Sequence, residues 1–179
     1  MKYPDEVVGS GVDNTLQDAT ADVSGTAINA TVIGGGANGG TEGSLTIHDG
    51  GVASGTVVTN YGTLVVSSGG VAKDVKLETG GSLSLDKAGA TVSNVTVGSG
   101  ATVTADDGGT INGAEIESGG SLAIASGGDG LVSLANVTVD SGGTFTVRSA
   151  GFSITDLTHT KGAGIELQSV DYSSVVTPA

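Results

Sequence analysis

The chain has no cysteine and no tryptophan, two prolines among 179 residues, and only 3% aromatic residues. Without cysteine there is neither a disulfide framework nor thiolate chemistry, which suits an exported bacterial chain. The aromatics are Tyr3, Tyr61, Phe145, Phe152 and Tyr172, too few large side chains to fill a conventional two-layer core. Scarce proline beside 33 glycines excludes collagen, and the positive mean hydropathy argues against disorder. Cations are scarce as well: 6 Lys and Arg stand against 19 Asp and Glu, a net charge of −13. Such a field repels phosphate backbones and anionic headgroups, so neither nucleic acid nor a membrane surface is an expected partner. No apolar run is long enough to span a membrane. Residues 1–20 carry Asp5, Glu6 and Asp13 and lack the apolar centre of a signal peptide, so a signal is expected outside these residues.

What the chain has instead is one short phrase repeated. "GSLTIHDGG" at Gly43 returns as "GTLVVSSGG", "GSLSLDKAG", "ATVTADDGG", "GSLAIASGG" and "GTFTVRSAG". The copies begin at Gly43, Gly62, Gly81, Ala101, Gly120, Gly143 and Ala163, at intervals of 19, 19, 20, 19, 23 and 20. In the first six, a glycine stands eight residues on, so length variation falls in the other half of the repeat. The third position reads Leu45, Leu64, Leu83, Val103, Leu122, Phe145, Ile165, and the fifth Ile47, Val66, Leu85, Ala105, Ile124, Val147, Leu167. Apolar residues alternating with polar ones are the period-two signature of a strand with one buried face. The longer half supplies two further columns, through Val75 and Leu77, Val95 and Val97, Ala114 and Ile116, Val137 and Val139. Glycine pairs separate the strands, as tight corners require.

A strand–corner–strand–corner unit of this size cannot bury both of its sides, so it must stack on copies of itself. The expectation is an all-β, single-domain β-solenoid with rungs of about 19–20 residues. Residues 25–170 form the solenoid, residues 1–24 an irregular cap or frayed segment, and residues 171–179 a tail or cap. "GTAINATVI" places Ala30 and Val32 in the inward columns, and "GGGANGGTE" then inserts a surface loop. At the far end Leu157 fills its column, the next inward slot falls near His159, and "VDYSSVVTPA" is expected to cap the rod.

The stretch "GGVASGTVVTNYGTLVVSSGGVAKDVKLETGGSLSL" resembles the strand–loop–strand repeats of AIDA-type autotransporter adhesin passenger domains. The resemblance spans roughly residues 25–170 and rests on the double-glycine corners, the Thr-x-Val or Val-x-Leu strand and the Gly-Ser/Thr-Leu-x-Val octad. It implies a right-handed parallel β-helix on a Gram-negative cell surface, acting in attachment, self-aggregation or biofilm growth, without enzyme activity, cofactor or metal. The implied partners are a second copy, a surface receptor or surface glycans. Some family members carry heptose on repeat Ser and Thr, although Ser67, Ser68 and Ser126 are equally what any exposed corner contains. The translocating barrel of such proteins is expected outside this chain.

The candidate chemistry is sparse. Asp86 and Asp106 share the sixth octad position in neighbouring rungs, with Asp107 alongside, and stacking would bring two carboxylates close enough for glycosidase work. The same residues suit solvated turns, with Lys87 easing the repulsion. A second column, Glu78, Gly98, Glu117 and Asp140, could offer a divalent cation two carboxylates. Calcium β-rolls repeat Gly-Gly-x-Gly-x-Asp, and only "GGDGLVSLA" begins so. His48 and His159 are too far apart in the repeat to share a metal. "GGGANGG" lacks the Lys-Ser/Thr of a phosphate loop. Tyr61 is the one aromatic at a corner of the regular repeats that could face a sugar. The leading reading is therefore a structural, adhesive rod, and the alternative a polysaccharide-acting β-helix enzyme or phage tailspike segment.

Overall fold

The computed structural model describes residues 15–35, 42–106, 108–125, 131–148 and 152–167. Two strand sets alternate along the chain, and all pairings within each set are parallel. The octads form β2 (Thr20–Val23), β5 (Ser44–Ile47), β8 (Thr63–Val66), β10 (Ser82–Leu85), β12 (Thr102–Ala105), β14 (Ser121–Ile124), β16 (Thr144–Val147) and β18 (Gly164–Leu167). The longer halves form β1 (Thr15–Gln17), β3 (Thr26–Ile28), β4 (Thr31–Ile33), β6 (Val52–Ser54), β7 (Val57–Thr59), β9 (Val71–Leu77), β11 (Thr91–Val97), β13 (Thr110–Ile116), β15 (Val132–Val139) and β17 (Phe152–His159). The octads stack into an 8-stranded sheet in the order β18-β16-β14-β12-β10-β8-β5-β2. The others make a 10-stranded sheet on the path β1-β4-β7-β9-β11-β13-β15-β17, with β3 beside β6 and β6 beside β9. This is a parallel β-solenoid without helix among the described residues. Eight stacked octads span about 34 Å at the usual strand spacing.

Register follows the repeat. Leu83 lies between Leu64 and Val103, and Leu122 beside Phe145, so each apolar column runs unbroken along the axis. The inward side chains make one continuous core, with Leu64, Leu83, Leu85, Leu122 and Phe145 fully buried. Corners pass close under the next rung: a Cβ on Gly120 would run into the carbonyl oxygen of Val97.

Two features differ from the sequence expectation. First, the strands reach further toward the N-terminus than residue 25. Thr20–Val23 pairs with Ser44–Ile47, and Thr15–Gln17 with Thr31–Ile33, so residues 15–23 join the stack. That octad, "ATADV", escapes notice because Ala19 replaces the leading glycine and Ala21 the leucine. Residues 1–14, the insertion at 36–41 and residues 168–179 lie outside the described residues, and with them all of "VDYSSVVTPA" and its expected capping role.

Second, the longer half carries three inward columns. Ala72, Val92, Ile111, Leu134 and Ile154 are buried ahead of the two columns read from the sequence. From Val92 to Val95 the spacing is three, which strict alternation forbids. A left-handed residue between them absorbs the extra position: Asn29, Gly55, Asp74, Asn94, Gly113, Asn136 and Asp156 all have positive φ, from 52 to 84°. Asn, Asp and Gly are the residues that tolerate this region. The longer half thus bends once per rung, at the same place.

One core position is mismatched. Thr56 takes the inward slot between Ala30 and Val75, is 0% exposed, and its hydroxyl finds no partner among the described residues. A buried unpaired hydroxyl costs more than the methyl that would replace it. Thr56→Val is therefore expected to raise stability by about 1–2 kcal/mol, read as a higher Tm in thermal unfolding.

Candidate functional site

The recurring bend builds the most distinctive surface of the rod. In each rung the left-handed residue points outward, the next residue turns into the core, and the one after points outward again. Stacking converts these into two polar ridges, Asp74–Asn94–Gly113–Asn136 and Lys76–Thr96–Glu115–Thr138, in register through β9, β11, β13 and β15. Between them runs a shallow open groove of about 620 Å³, floored by the main chain at Val75, Val95 and Ala114.

Hydrogen bonds tie the ridges from rung to rung. Asn94 Nδ2 donates to Asp74 Oδ1 at 3.0 Å. At the next rung Gly113 has no side chain, so the ladder detours: Asn136 Nδ2 donates to Asn112 Oδ1 at 2.9 Å. Thr138 and Thr158 hydroxyls meet at 3.0 Å. Lys76 Nζ lies 2.8 Å from Glu78 Oε1, and this hydrogen bond and charge, with a smaller contribution from Glu117, raise the lysine pKa above its ordinary value. The face therefore presents amides, hydroxyls and charges of both signs on a rigid support. Such an array offers hydrogen-bond donors and acceptors to whatever polar surface meets it.

The residues singled out from the sequence lie elsewhere. Asp86 and Asp106 do occupy one column, their amides donating to Val66 and Leu85 carbonyls at 3.1 Å each. Asp86 is exposed, Asp106 is half-buried, and Asp107 lies outside the described residues. Glu78, Gly98, Glu117 and Asp140 also stack, and the Glu117 carboxylate leans toward the gap at Gly98, with Oε2 3.5 Å from where a Cβ would stand. Among the described residues no group of three or more His, Asp or Glu is placed to hold a metal ion. Millimolar calcium is accordingly expected to leave the Tm unchanged; an ion bound only by the folded state would raise it by mass action. His48 Nε2 sits 3.0 Å from Asp22 Oδ1, both side chains 46% exposed, while His159 is exposed opposite Val139. Tyr61, 46% exposed and itself at φ 66°, lays its ring against Gly80, where a Cβ would stand 3.3 Å away.

Among solved structures, the crystal structure of a hyper-glycosylated TibA fragment, residues 55–350, its glycosylation catalysed by TibC, matches with a TM-score of 0.41. Identity is 23%, over 92% of this chain and 70% of that one. No family model and no curated protein matches the chain.

The bend column was missed in the sequence because its residues differ chemically. Asn, Asp and Gly look unrelated until the shared requirement, positive φ, is recognised. A usable signal exists: "NATV", "GTVV", "DVKL", "NVTV", "GAEI" and "DLTH" all set an Asn, Asp or Gly one residue before an inward one. No described helix is long and apolar enough to cross a membrane.

Proposed function

We propose that the chain is a structural and adhesive segment of a bacterial cell-surface protein, which self-associates through the polar face at its strand bend. The observation that carries this reading is the groove between two outward ridges, formed across β9, β11, β13 and β15 by the same backbone bend. Each rung offers a weak polar contact, and stacking lets such contacts add along the rod. Aggregation between cells and attachment follow from one geometry. The repeat's resemblance to AIDA-type passenger domains supports the surface location. The alternative, a polysaccharide-acting enzyme using Asp86 and Asp106, would need a substrate cleft at the octad corner, whereas the groove lies on the other sheet.

The net charge of −13 opposes alignment of two rods. Salt screens that repulsion beyond about 8–10 Å at physiological strength. Self-association is therefore expected to be concentration-dependent and to strengthen as salt rises, as measured by analytical ultracentrifugation. A chain that stays monomeric at high concentration and high salt would leave only a passive spacer or an adhesin with a foreign receptor.

A further inference from the structure

We infer that the strand bend is a covalent modification site: Asn29, Asn94 and Asn136 are acceptors for asparagine-linked glycosylation, each taking a sugar from a diphosphate-activated donor. This goes beyond the self-association reading and does not depend on it.

The chain's asparagines are Asn14, Asn29, Asn38, Asn60, Asn94, Asn112 and Asn136. Only three stand in Asn-x-Thr with a residue other than proline between, as "NAT" at 29 and "NVT" at 94 and 136. The same three are the asparagines that hold the left-handed bend of the longer half, with φ of 52, 55 and 54°. Bends made by Gly55, Asp74 and Gly113 are followed at that distance by Val57, Lys76 and Glu115. Asp156 is followed by Thr158, but its side chain is a carboxylate and offers no amide nitrogen.

The fold presents the pattern on one face. Asn29, Asn94 and Asn136 are exposed, the next residues Ala30, Val95 and Val137 are buried, and Thr31, Thr96 and Thr138 return to the outside. Amide and hydroxyl therefore lie side by side, where a transferase that must hold both can reach them. Hydrogen bonding leaves the acceptor usable. Asn94 Nδ2 gives one hydrogen to Asp74 Oδ1 and Asn136 Nδ2 one to Asn112 Oδ1, whereas a primary amide carries two. In the transfer Nδ2 attacks the anomeric carbon, and the C–N bond forms as the bond to the diphosphate oxygen breaks. The diphosphate leaves with the electron pair, and the displaced amide proton passes to a base on the transferase. One N–H remains on each Nδ2, enough to keep its bond to the neighbouring rung.

Spacing leaves room for the product. Asn94 and Asn136 are two rungs apart, about 10 Å at the usual strand spacing, and Gly113 between them carries no side chain. Both line the open groove, so a sugar on either extends into solvent.

Mass spectrometry of the full chain purified from the cells that make it tests this, with peptide mapping under fragmentation that keeps sugars attached. The expected result is whole-sugar mass increments on Asn29, Asn94 and Asn136 and none on the other four asparagines. Thr96→Val should lose the increment at Asn94 alone, Thr96→Ser should keep it, and Asn94→Asp, which places at the bend the residue found at positions 74 and 156, should lose it with wild-type melting. An unmodified chain, sugar confined to serine and threonine, or an Asn94 still modified in Thr96→Val would each overturn the inference. Self-association is read separately, by ultracentrifugation of the unmodified chain, so either reading can fail while the other stands.

Discussion

Leu83→Asp is expected to destroy the cooperative fold, with the β signature in far-ultraviolet circular dichroism lost or its thermal transition displaced by more than about 4 kcal/mol in stability. Leu83 is 0% exposed and is flanked along its column by Leu64 and Val103. A carboxylate there has no cation or donor within the apolar core, and burying an unpaired charge is among the most costly substitutions known. The neighbouring Ser82→Asp places the same group on the outward side, where the expected change is within about 0.5 kcal/mol. Position 82 and position 83 differ only in which face of one strand they occupy. Equal effects would therefore mean that the strand register is wrong, whatever else about the fold is right.

Phe145→Ala should be the most damaging of the cavity-forming changes. Phe145 heads the fully buried side chains by volume and lies beside Leu122 and Ile165 in the octad core. Removing an aromatic ring from such a site costs about 3–5 kcal/mol, a fall of roughly 6–20 °C in Tm for a chain of this size. In a solenoid the effect reaches beyond one rung, because each rung is stabilised mainly by its neighbours. Phe145→Leu is the matched control. Leucine fills the same column at Leu45, Leu64, Leu83 and Leu122, so that variant should lose far less. Comparable losses for Ala and Leu would show that the ring is held by something other than packing volume.

These two substitutions probe what the alternation of apolar and polar residues encodes. The octad's fixed length keeps its third and fifth residues inward at every turn, and the structure places Leu64, Leu83, Leu122 and Phe145 there as expected. The "ATADV" octad near the N-terminus was harder to see, since alanine marks an inward position far less distinctly than leucine does. The column through Ala72, Val92 and Ile111 was invisible to alternation, because a residue of positive φ shifts the phase by one. Carboxylates drew attention as isolated chemical groups, yet Asp86 and Asp106 lie on a corner away from the groove.

The sequence by itself determined the solenoid: a period-two pattern recurring at a constant octad length leaves stacked parallel strands as the way to bury one face of every copy. It also determined the inward columns that alternation marks locally, those of the octads and the last two of the longer halves, though not the column through Ala72, Val92 and Ile111. The polar face was decided only by the tertiary structure. Asp74, Asn94, Gly113 and Asn136 come from four successive rungs, and what brings them into line is the pairing of strands about 20 residues apart. The groove beside them arises from a backbone bend, a conformation that Asn, Asp and Gly can each adopt but that no one of them spells out alone. Side-chain alternation is a local property of a strand, whereas a surface built across rungs exists only once the rungs have stacked.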